Sequence, residues 1–224
     1  MPQRIMKGLL ALSAVIALFL AAAAPALAQA TVATTKHNLS VTSGRSGVSG
    51  ATTLTGVTDY GQICVYCHAP HNTAAAANGP LWNRAAVAGT YTMYASPTIG
   101  MTMAGTPGSQ SMACLSCHDG TVALDVVINR PGSLTSDAGA GTTPAGSVLS
   151  QDLSNDHPIA VTYDPAVDVA FNTVASVTAA GLKFYGASNK LECATCHNVH
   201  NNTNAPFLRK ANGSSALCLT CHIK

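Results

Sequence analysis

All eight cysteines of the chain fall into four C-x-x-C pairs, and each pair is followed at once by histidine. The pairs are Cys64/Cys67 with His68, Cys114/Cys117 with His118, Cys193/Cys196 with His197, and Cys218/Cys221 with His222. Eight cysteines in an exported chain ordinarily suggest disulfides, and paired C-x-x-C suggests zinc. The invariable histidine separates this pattern from both, because C-x-x-C-H is the attachment sequence of c-type haem. Two cysteines three positions apart reach the two vinyl groups of one porphyrin and form thioethers. The next residue then lies under the iron and supplies its proximal imidazole. The spacing implies four covalently attached haem c groups.

Four irons have eight axial positions. The motif histidines fill four, and the chain holds only four more histidines: His37, His71, His157 and His200. The match implies an imidazole on both sides of every iron, and therefore no open site for a substrate. Methionine is the competing ligand, and Met93, Met101, Met103 and Met112 cluster between the first two motifs. Their expected role is flexible packing against the cofactor faces.

Two of the motifs carry an extra histidine, in "CVYCHAPHN" (Cys64–Asn72) and "CATCHNVHN" (Cys193–Asn201). On a helix, His71 would lie beside His68, unable to reach the far face of the same haem. The expectation is a bridge, with His71 serving the haem on Cys114 and Cys117, and His200 the haem on Cys218 and Cys221. The repetition runs further. "PLWNRA" (Pro80–Ala85) answers "PFLRKA" (Pro206–Ala211), and "CLSCH" answers "CLTCH". A lone histidine precedes each unit, His37 in "KHNLS" and His157 in "NDHPI". This order reads as an internal duplication of a two-haem module. By the same logic His37 serves the first haem and His157 the third. His37 sits near the expected mature N-terminus, so its segment is also a candidate for exchange with a neighbouring subunit.

The elements that must position these groups are sparse. Only 9% of residues are charged and 5% aromatic, so few large side chains exist to build a core. The haems are expected to supply it. The fold class is an irregular, coil-dominated multihaem cytochrome c, with short helices at the motifs and a few strands, including Thr121–Asn129 and Ile159–Tyr163. Arg4, Lys7, an apolar run from Leu9 to Ala24 and an Ala26-x-Ala28 site read as a signal peptide over 1–28. The first module then covers 29–120, a strand with a Gly/Ser/Thr-rich connector 121–150, and the second module 151–224. Removing Arg4 and Lys7 from the 11 basic residues balances the 9 acidic ones. No basic patch remains, which argues against nucleic acid, and no later segment is apolar enough to span a bilayer.

The four C-x-x-C-H motifs, two extended to C-H-x-x-H-N, with the early "KHNLS" and the mid-chain "NDHPI", resemble the secreted tetrahaem cytochromes of the OmcE type. The resemblance implies an extracellular filament with a continuous haem chain, and one histidine ligating a haem of the adjacent subunit. The expected function is electron transfer without catalysis, with redox proteins or extracellular acceptors as further partners. A monomeric periplasmic shuttle uses the same residues, and a multihaem reductase would need one iron left open.

Overall fold

The computed structural model describes residues 32–40, 54, 56–71, 81–85, 87, 89–132 and 139–223. The expected signal peptide, and residues 133–138 of the connector, lie outside them.

Regular structure is short and gathers at the motifs. Helix α1 (Ser109–His118) carries the second C-x-x-C-H; it starts after an extended Gly108 and ends at Asp119. Strand β1 (Val161–Thr162) pairs antiparallel with β2 (Lys190–Leu191), Val161 opposite Leu191 and Thr162 opposite Lys190. Between them lies α2 (Val174–Ala179), whose first turn is capped by Thr173, its hydroxyl accepting from the Ser176 amide. Single turns α3 (Cys193–Cys196) and α4 (Cys218–Cys221) carry the third and fourth motifs. The first motif is a turn rather than a helix, closed by His68 N donating to Cys64 O at 2.8 Å. The rest of the described residues are mostly coil, with 3-10 turns at Ala145–Ser147 and Gly213–Ser215, as a chain poor in large side chains would make. Among the described residues no helix is long and apolar enough to cross a membrane.

Two small apolar clusters do the packing. Val65 and Tyr66, inside the first motif, pack with Tyr60 and Val127. Met101, Val161, Tyr163, Val177, Leu182, Leu191 and Cys221 form the other, with Met103 against its edge. Met101 thus fills a protein core beside the fourth motif.

The β-branched stretch Thr121–Asn129 is not a strand. Its polar backbone is satisfied by loops and side chains instead. Arg84 takes the carbonyls of Ala123 and Leu124, both at 2.8 Å, and Asn129 N donates to Asn83 Oδ1 at 2.8 Å. Buried Asp125 ties it to neighbouring loops, accepting from Thr58 N (3.0 Å), Thr58 Oγ1 (2.7 Å), Gly139 N and Gly141 N (both 3.2 Å). The expected strand over Ile159–Tyr163 contains β1.

Candidate functional site

Each C-x-x-C-H-x-x-H segment docks on a later stretch of chain through the same bonds. In the first half, Ala69 N donates to Leu81 O (3.0 Å), Asn83 N to Cys67 O (2.8 Å) and Asn83 Nδ2 to Val65 O (2.7 Å). At the corresponding positions Asn198 N donates to Phe207 O (2.7 Å), Arg209 N to Cys196 O (2.8 Å) and Arg209 Nε to Ala194 O (2.9 Å). His68 bridges Trp82 and His197 bridges Leu208, both antiparallel. Leu81 and Phe207 both sit at positive φ, 55° and 61°, a conformation non-glycine residues rarely adopt. The next residue in each stretch then reaches the following motif. Arg84 Nη2 donates to Ser116 O at 3.0 Å, and Lys210 Nζ to Thr220 Oγ1 at 2.9 Å.

These bridges overturn the helical premise for the extra histidine. Pairing with a later segment requires extended backbone, so α3 stops at Cys196 and His197 has φ −106° and ψ 146°. The chain then turns through a bond from Asn201 N to Asn198 O (2.9 Å).

No cysteine is joined to another by a disulfide. Among the described residues no three His, Cys, Asp or Glu side chains come together as a metal cluster, so the pairs do not build a zinc site. Burial pushes Cys67 up to about 12 and Cys196 up to about 11. The Cys114 and Cys193 thiols lie close enough to influence each other, which raises Cys114 and lowers Cys193 to about 7. That contact joins the two halves. Ser111 on α1 receives a bond from Cys193 N (3.0 Å) and donates to the buried Glu192 carboxylate, which also accepts from Gly108 N (3.2 Å). Burial raises the Glu192 pKa against the lowering effect of these bonds.

The histidines come together across the chain. The His68 and His200 ring centres are 6.2 Å apart with planes within 19° of parallel. Those of His37 and His118 are 6.1 Å apart at 65°. Both pairings differ from the local ones expected, which gave His200 to the fourth motif and His37 to the first. The His222 ring instead meets Phe171 at 4.6 Å. The His37 segment is not a bare arm. Asn38 and Ser40 are fully buried, Ser40 Oγ donates to Asp59 Oδ1 (2.9 Å), and Phe207 meets the His37 ring edge-on at 4.5 Å. His71 and His157 are exposed.

Ring orientation favours ligation. A carbonyl can only accept, so His118 Nδ1 donates to Ser147 O (2.7 Å), His197 Nδ1 to Pro206 O (3.0 Å) and His157 Nδ1 to Pro158 O (3.0 Å). Each bond fixes the tautomer that leaves the Nε2 lone pair for a metal. Partial burial, with His68 beside it, lowers the His200 pKa, which favours the neutral imidazole there too. Cysteine pairs outside disulfides, each followed by a histidine, are a donor set that fits haem c.

Sequence reasoning passed over three residues that hold this frame. Asn83 and Arg84 were visible as repeat positions in "PLWNRA" but carried no signal of burial. Glu192 directly precedes the third motif, and nothing in its neighbours marks it as a link to α1.

The family described as "Doubled CXXCH motif" matches residues 186–224, which hold the third and fourth motifs. No curated protein matches the chain significantly. The doubled motif is the signature of multihaem c-type cytochromes, and it indicates covalently bound c-type haem and a role in electron transfer.

Proposed function

We propose that the chain carries four haem c groups, one on each C-x-x-C-H, and passes electrons among them with an imidazole on both sides of every iron. One observation carries the count of four. The family match falls on the second half, and the bonds that dock its third motif recur at corresponding positions around the first. The recurrence also supports an internal duplication of a two-haem module. Bound haem supplies a one-electron iron couple; the protein's part is to hold and orient. Cys64, Cys67, Cys114, Cys117, Cys193, Cys196, Cys218 and Cys221 anchor the groups, and His68, His118, His197 and His222 supply the proximal imidazoles. His37, His71, His157 and His200 complete the axial set, which leaves no iron open for catalysis. The bond from Cys193 N to Ser111, on the helix that carries Cys114, places the second and third attachment points side by side, a route between the halves.

The test is the mass and optical spectrum of the secreted protein. Four haems, all low-spin, are expected. A high-spin band, or carbon monoxide binding to the native ferrous form at neutral pH, would revive the reductase.

The resemblance to OmcE-type cytochromes supports a finer reading, in which exported subunits polymerise into a conductive filament. There the His37 segment would leave its place beside His118 and take the same place on the next subunit, regaining the bonds it gives up. Electron microscopy of the secreted fraction decides between this and a monomeric shuttle. Filaments that persist in His37→Ala would rule out the exchange.

A further inference from the structure

The imidazole positions carry one step more, which rests on reading C-x-x-C-H as haem attachment. We infer that the two C-x-x-C-H-x-x-H segments exchange distal ligands between the halves. His200 serves the iron of the haem on Cys64 and Cys67, His71 that of the haem on Cys193 and Cys196, and His37 that of the haem on Cys114 and Cys117.

The argument begins with a length. A metal–imidazole bond of about 2.0 Å and about 1.1 Å from nitrogen to ring centre, counted on both sides, put two trans imidazoles about 6.2 Å apart. The pairs His68–His200 and His37–His118 stand at 6.2 Å and 6.1 Å. Each joins one motif histidine to one spare histidine, as axial ligation requires. In the second pair, the His118 Nδ1 bond to Ser147 O leaves Nε2 free to bind a metal. The local alternative, His200 on the iron of His222, finds Phe171 against the His222 ring.

Reciprocity follows from the repeated frame. His71 stands three positions after His68 and His200 three after His197, and both segments dock through matching bonds. A contact in which one copy gives its spare histidine to the other becomes self-complementary when the other returns it. The Ser111–Glu192–Cys193 bonds hold the second motif against the third. His157 remains for the iron of His222.

Ring planes give each iron a signature. Near-parallel imidazoles split the iron π-orbitals and yield a rhombic ferric resonance. Planes far from parallel leave the orbitals nearly degenerate and raise the largest g value. The 19° pair is therefore expected to be rhombic and the 65° pair to show the large-g signal.

The decisive experiment combines haem deletion with ligand deletion. Cys64→Ala/Cys67→Ala should give a three-haem protein by mass, all low-spin. Adding His200→Ala should create no carbon monoxide-binding haem there, whereas His200→Ala alone creates one of four and removes the rhombic signal. His71→Ala should behave likewise against Cys193→Ala/Cys196→Ala, and His37→Ala should remove the large-g signal. A new carbon monoxide-binding haem in either combined variant overturns the exchange. If the cysteine variants do not accumulate, the wild-type holoprotein structure decides, with His200 Nε2 bonded opposite His68 on the iron of the haem on Cys64 and Cys67 expected, and any other histidine opposite His68 fatal. Four haems with another pairing defeat only this inference; fewer than four by mass defeat the reading beneath it.

Discussion

The two halves hold their motifs in one frame but fill the space behind it differently. In the first, Arg84 is fully buried and gives its guanidinium to three carbonyls, those of Ser116, Ala123 and Leu124. In the second, the corresponding Lys210 is half-buried and gives one bond to the Thr220 hydroxyl. Asn83 is fully buried and bonded to both Val65 and Asn129, whereas Arg209 in its place is half-buried and reaches Ala194 O and Tyr185. The backbone bonds around C-x-x-C-H are what the repeat keeps. The side chains behind them adapt to whichever segment must be pinned.

That contrast sets the largest expected effect. Arg84→Met strands three carbonyls and should cost about 3–4 kcal/mol, because a buried polar group left without its partner is expensive. Lys210→Met should cost less than about 1 kcal/mol, as partly exposed substitutions usually do. Guanidinium unfolding of the holoprotein, followed through its haem absorption, measures both. Equal costs would break the comparison.

Asn83 sharpens it. Asn83→Ala should lose about 2 kcal/mol, since it joins the first motif to the 129 position through buried bonds, and Arg209→Ala about 1 kcal/mol. A reversed order would mean that the second half is the better-locked one.

Acid should loosen the first half selectively. Burial alone would raise the Asp125 pKa, but hydrogen bonds from Thr58 and Gly141 leave it below the ordinary value. A carboxyl with a depressed folded pKa stabilises above its unfolded pKa, and that stability is lost as pH falls through the folded one. Wild-type unfolding below about pH 4 should therefore exceed that of Asp125→Asn when both are referred to their own stability at pH 7. Parallel acid profiles would remove Asp125 from the account.

The smallest effect separates strain from packing at the shared positive φ. Leu81 is half exposed, so Leu81→Gly should be neutral or stabilise by up to about 1 kcal/mol, because glycine adopts this conformation freely. Phe207→Gly relieves the same strain but removes the ring against His37, and should destabilise on balance.

Much of the site could be read directly from the residues. The attachment cysteines and proximal histidines follow from spacing alone, and aligning "PLWNRA" with "PFLRKA" pairs the positions whose bonds recur. What could not be read is anything decided by how the halves meet. The partner of His68 lies in the other half, and no local spacing reports that. The stretch Thr121–Asn129 has strand-like side chains, but a strand also needs a neighbour for its backbone, and Arg84 and Asn83 take those groups first. The extra histidines looked helical because they stand three positions after a motif histidine; the bridges of His68 to Trp82 and of His197 to Leu208 end the turn at the motif.

The meeting of His68 with His200 also sets a timetable. The two residues are separated by more than half the chain, and a contact of that span closes late because the loop between its ends must be ordered first. A chain made from its N-terminus displays the first motif early, yet that motif's neighbour is among the last residues to arrive. The N-terminal half is therefore synthesised first and completed last. Any chain halted before residue 200 keeps an unfinished first motif, however well its own segment has folded.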